Sequence, residues 1–133
     1  MNEFTLYFFE ESEKTIIGDF NGTKVKYKNY KKILKGICEQ EITTLKARIE
    51  VVAKLTKRHN NIPLYINDHL LFFKIKATPN LWINYFNMLS FENENGKTRI
   101  VFRNGSTILI NKKIKYVKGI IRLIKKITFY SKK

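Results

Sequence analysis

Three Asn-Gly pairs, Asn21-Gly22, Asn95-Gly96 and Asn104-Gly105, each fall between short runs rich in alternating apolar and polar residues. Asn and Gly accept the left-handed backbone that the tightest hairpins require, so a chain built this way is committed to antiparallel pairing of neighbouring strands. Glu3 to Phe9 and Lys14 to Phe20 read as strands, and Asn21-Gly22 leads into a third, TKVKYK. IPLYIND and HLLFFKIK are two further strand runs, Thr78-Pro79-Asn80 turns the chain, and LWINYFNML makes another. KTRIVF and STILI, reached through the last two Asn-Gly turns, complete a meander.

Helical spacing fills the rest. NYKKILKGIC puts Tyr30, Ile33, Leu34 and Ile37 on one face, up to Cys38. Thr43 and Thr44 suit an N-cap, and Leu45, Ile49, Val52 and Leu55 recur at helical spacing as far as Arg58, where His59-Asn60-Asn61 breaks the pattern. In residues 114 to 130, Lys115, Lys118, Arg122, Lys125 and Lys126 share an arc of roughly 100° at about 100° per residue. Ile114, Val117, Ile120, Ile121, Leu123, Ile124 and Ile127 occupy the opposite side. The expected fold is α+β: a single domain over residues 1–133, its antiparallel sheet of hairpins and meander packed with two or three helices. A chain of 133 residues is long enough for one real core.

Composition narrows the class. Hydrophobic residues make up 44%, with only 6 Gly and 2 Pro, enough apolar surface to offset ordering entropy and exclude collagen-like or disordered chains. The one cysteine, Cys38, permits no intrachain disulfide and argues against a Cys-based zinc site. The opening residues lack the basic region and cleavage site of an export signal, and no run reaches the roughly 18 apolar residues that span a bilayer. The expected location is the cytoplasm.

Charge points to the partner. Against 26 Lys and Arg stand 11 Asp and Glu, a net charge of +15, and after Glu94 there is no acid at all. Cations without internal partners gain by displacing counterions from a polyanion. Candidate contacts are Lys46, Arg48, Lys57, Arg58, Lys74, Lys76, Arg103, Lys112, Lys113 and Arg122. Arg48 is singular, since its helix aims it into the apolar side between Leu45, Val52 and Leu55, where a bare guanidinium is costly. Two readings stay open: pairing with a buried carboxylate or orphan carbonyls, or reaching out to phosphate or a minor groove.

Enzyme signatures are scarce: there are two His and two Asp, and no GxGxxG, P-loop, HExxH or GxSxG. Asp68 and His69 are adjacent, but they read as a turn between two strands, and neighbours on a strand face opposite ways. Cys38 reads as a small buried apolar residue, and Trp82, Tyr85, Phe86, Phe72 and Phe73 as packing residues. No metal or cofactor is expected. A membrane-surface or protein-interaction module using the amphipathic segment 114–130 is the alternative, although that face is needed to cover a sheet.

Several segments together resemble the bacterial competence transcription factor (ComK) family. Cys38 and Arg48 keep the family's ten-residue interval across CEQEITTLKAR, followed by IPLYIN, LLFFKIKAT and the Trp-Ile pair of LWINYFNML. Phe102, Asn104, Gly105 and Thr107 match its FxNGxT-like hairpin. The likeness runs from about Thr5 to the end of the last helix. Ile42 and Ala47 replace family glycines, and Thr43 and Thr44 a serine pair, changes that favour helix over a glycine-rich loop. The chain stops soon after its last helix, so control by adaptor-mediated proteolysis need not carry over. The resemblance implies a DNA-binding activator that recognises A·T-rich boxes through the minor groove and turns on DNA-uptake genes. The expected partner is A·T-rich double-stranded DNA, bound by a homodimer or higher assembly, with no membrane partner.

Overall fold

The computed structural model describes residues 1–58 and 60–131, and for 129–131 the backbone only. Among the described residues the fold is α+β, with two antiparallel sheets and three α-helices, in two compact units, Met1–Asn87 and Met88–Lys133.

In the first unit β1 (Thr5–Glu11), β2 (Lys14–Asp19) and β3 (Gly22–Lys26) form a meander. Then come α1 (Tyr30–Gln40) and α2 (Leu45–Thr56), followed by a second meander of β4 (Leu64–Asn67), β5 (Leu70–Ile75) and β6 (Leu81–Asn84). Pairing of β1 with β6 joins the meanders into one six-stranded sheet, in the order β3-β2-β1-β6-β5-β4. Period-2 alternation sends Phe8, Ile17, Phe72 and Trp82 to one face, where they meet Leu34 and Cys38 of α1 and Leu45 of α2. Phe8 is the hub. It lies edge-on to Phe72 with centroids 4.8 Å apart and stacks on Trp82 at 5.9 Å. On β2, Gly18 faces Tyr7 across the ladder, and a Cβ there would overlap the Tyr7 ring.

The expected strand LWINYFNML is interrupted. β6 stops at Asn84, whose fully buried amide does the work of a missing ladder. Its Nδ2 donates to the carbonyls of Thr5 and His69, both at 2.9 Å, while Oδ1 accepts from the Leu71 and Phe86 amides at 3.1 and 3.3 Å. Tyr85–Asn87 make one turn of 3-10 helix, and Asn87 Nδ2 adds bonds to the carbonyls of Glu3 and Thr5. The strands therefore divide between two sheets instead of continuing in one.

The second unit holds β7 (Met88–Glu94), β8 (Lys97–Phe102), β9 (Thr107–Ile110) and α3 (Ile114–Ser131), with the sheet ordered β7-β8-β9. Asn95 and Gly96 both have positive φ, 52° and 82°, as the two-residue hairpin demands. α3 contacts β7 and β8, and its Val117, Ile121, Ile124 and Ile127 are buried.

Between α1 and α2 the sequence led us to expect helix-favouring chemistry at Ile42, and the structure corrects this. Ile42 lies in the turn, with φ +56° and a side chain 95% exposed. The Thr43 amide donates to Cys38 O at 3.0 Å and the Ile42 amide to Glu39 O at 3.1 Å, the paired bonds of a Schellman cap, whose left-handed position favours Gly. An L-residue there costs about 1–2 kcal/mol, of which the greater unfolded-state freedom of Gly returns roughly half. Ile42→Gly is expected to raise stability by about 1 kcal/mol, read as a melting temperature about 3 °C higher.

Candidate nucleic-acid interface

Cations on the first unit follow from how α2 packs. Thr44 caps the helix, its Oγ1 accepting from the Ala47 amide at 3.0 Å, and Leu45 and Val52 turn inward. That orientation leaves Lys46, Lys57 and Arg58 exposed. Lys46 approaches Glu50 at 4.0 Å, a solvated i,i+4 pair that contributes little. Lys57 takes the left-handed C-cap position. On β5 the half-buried Lys74 lays its ammonium 5.8 Å from the centre of the Trp82 ring, and Lys76 is exposed just beyond.

Arg48 takes the carbonyl option. It is half-buried at the flank of the apolar face, with Nε donating to Tyr65 O on the edge strand β4 at 2.7 Å. Its guanidinium carbon stands 4.9 Å from the centre of the Tyr65 ring. No carboxylate among the described residues pairs with it. A charged hydrogen bond to a carbonyl and a ring contact together contribute about 2 kcal/mol. Arg48→Ala is expected to lower the urea unfolding free energy by about that amount, and Arg48→Lys to recover little of it, because Lys lacks the Nε–H of the fork.

The second unit is the more one-sided, with 12 basic against 2 acidic residues over Met88–Lys133. One acid is already engaged: Arg99 reaches Glu94 Oε2 through Nη2 at 2.6 Å and through Nε at 3.0 Å. Arg103 is exposed in the β8–β9 turn, and Lys113 just before α3. Lys112 is half-buried, its ammonium 5.1 Å from the centre of the Tyr116 ring. On α3 the burial of Val117, Ile121, Ile124 and Ile127 leaves Arg122 exposed with Lys115, Lys118, Lys125 and Lys126, the stripe that periodicity anticipated.

The candidates are shared between the two units. Lys46, Arg48, Lys57 and Arg58 share α2 and its end, while Lys112, Lys113 and Arg122 share α3 and its approach; each group belongs to its own unit. Tyr65 as the partner of Arg48 was not foreseen, because nothing local marks a contact 17 residues away.

Asp68 and His69 form the β4–β5 turn, where the His69 amide donates to Asn67 Oδ1 at 2.8 Å. Cys38 is fully enclosed, and burial pushes its thiol above the ordinary range despite the opposing charge of Arg48. Among the described residues no group of three or more His, Cys, Asp or Glu could hold a metal ion. No helix among them is long and apolar enough to cross a membrane.

An α+β scaffold whose α3 presents cations and no acid offers a surface suited to a polyanion. The family model described as ComK protein matches residues 4–129, and the chain belongs to the ComK family of competence transcription factors, which bind DNA and are not enzymes. No curated protein and no solved structure matches it.

Proposed function

We propose that this chain is a cytoplasmic transcriptional activator that binds A·T-rich duplex boxes through the minor groove, as a homodimer or higher assembly. The two units serve as one DNA-binding domain. The observation that carries this reading is the outer stripe of α3, five exposed cations on a helix whose other side is anchored by buried Val117, Ile121, Ile124 and Ile127. With no acid after Glu94, the stripe has no carboxylate of its own segment to neutralise it. Phosphate is the complementary surface, and releasing counterions from it drives association.

Arg122, Lys112, Lys113 and Arg103 contact backbone from the second unit, and Lys46, Lys57, Arg58, Lys74 and Lys76 from the first. Arg48, steadied on Tyr65, lies nearest to the groove. Narrow A·T-rich minor grooves concentrate negative potential, which supplies the preference for such boxes. A lipid surface is disfavoured, because the apolar arc of α3 that would enter it is already buried.

A mobility shift on A·T-box and G·C-rich duplexes at two salt concentrations tests the reading. The A·T duplex is expected to bind at least tenfold tighter, about 1–3 kcal/mol per changed base pair accumulating over the box, with both affinities falling as salt rises. Equal affinity for the two duplexes removes the groove-reading activator.

A further inference from the structure

Between Phe20 and Cys38 the chain carries six lysines and no carboxylate, and this stretch forms the outer edge of the six-stranded sheet and the start of α1. Every residue of β3 is exposed. Its register sets Lys24 opposite Ile17 and Lys26 opposite Thr15. Ile17 belongs to the helix-covered core, so Lys24 and Lys26 project on the α1 side of the sheet. Lys28 follows two residues on, its carbonyl held by the Thr15 hydroxyl at 2.7 Å. Exposed Lys31 and Lys32 occupy the first turn of α1, which holds no acid. Cations at that end oppose the helix macrodipole, so the fold places them against its own electrostatic preference.

Two nearby carboxylates are committed. Asp19 accepts from the Asn21 amide at 2.8 Å and pairs with Lys24 at 3.1 Å, and Glu10 accepts from the Tyr30 amide at 3.1 Å. The N-terminal amine feels the field: burial first, then Lys26 and Lys24, hold its proton affinity below the usual value against the pull of Asp19.

We propose that Lys26, Lys28, Lys31 and Lys32 form a second phosphate-binding surface on the Met1–Asn87 unit, gripping the duplex backbone without reading its sequence. This rests on the DNA-binding reading above. Alternate residues of a strand stand about 6.7 Å apart, similar to the step between successive phosphates on one DNA strand. Lysines alone supply point charges rather than the forked donors that recognise base edges.

The test compares the wild-type chain with the triple variant Lys26→Gln, Lys28→Gln, Lys32→Gln on A·T-box and G·C-rich duplexes across a salt series. Each lost phosphate contact lowers the log–log salt slope by about 0.9, so the variant is expected to lose about 2.7, equally on both duplexes. An unchanged slope in a variant that melts like the wild type overturns the proposal, as does a loss confined to the A·T duplex. Lysine acylation of the wild-type chain reads the same surface without a variant: Lys26, Lys28, Lys31 and Lys32 should react several-fold more slowly with duplex bound, and no protection refutes the surface. Wild-type chain that binds neither duplex brings down the functional reading first, and this inference with it.

Discussion

Replacing Lys115, Lys118, Arg122, Lys125 and Lys126 with Gln is expected to weaken duplex binding by about four orders of magnitude at roughly 0.1 M salt, and to reduce the log–log salt slope by about 4.5. The size follows from five contacts at about 0.9 each, all on one helix side. The same change acts on stability with the opposite sign. Lys115 with Lys118, Lys118 with Arg122, and Arg122 with both Lys125 and Lys126 are like-charged neighbours at i,i+3 or i,i+4 spacing, each unfavourable by about 0.2–0.5 kcal/mol. Gln and Lys have similar helix propensity, so the variant should be more stable by about 1 kcal/mol. Binding titrations and thermal melts on one preparation check both halves. Strong binding by the stabilised variant would place the duplex somewhere other than α3.

Asn84→Asp should cost about 3 kcal/mol or more in urea unfolding, although it changes only one nitrogen to oxygen. The wild-type amide donates to two carbonyls and accepts from two amides while wholly buried. A carboxylate keeps the acceptor and loses both donors, so the Thr5 and His69 carbonyls face a buried negative charge. Protonation relieves part of that conflict by restoring one donor. The folded-state pKa of the introduced carboxyl is therefore raised, and the deficit is full above that pKa and shrinks as pH falls through it. Asn87→Asp disturbs the Glu3 and Thr5 carbonyls in the same manner, and its smaller network predicts a smaller loss.

These asparagines mark where sequence stops informing the fold. LWINYFNML alternates like a strand, and only the long-range bonds from Asn84 to Thr5 and His69 reveal that the ladder ends there. The Asn95-Gly96 turn was legible because both residues favour the left-handed backbone it uses. The β1–β2 turn gave no such signal: Ser12 and Glu13 take positive φ, 50° and 65°, without glycine. Pairing of β1 with β6 closes the larger sheet across some 70 residues, which no local pattern encodes. The α3 stripe could be read because 3.6-residue periodicity fixes it before any tertiary contact forms. Arg48 could be flagged as misplaced, yet Tyr65 as its acceptor depends on how α2 crosses the edge of the sheet.

Cys38 gives the molecule an internal clock. It is the sole thiol, enclosed between α1 and the aromatic hub, so a maleimide can reach it only when that helix lifts from its bed. The labelling rate of the unmodified chain thus follows the open population of the first unit around α1, and ligand-induced tightening there would register as slower incorporation.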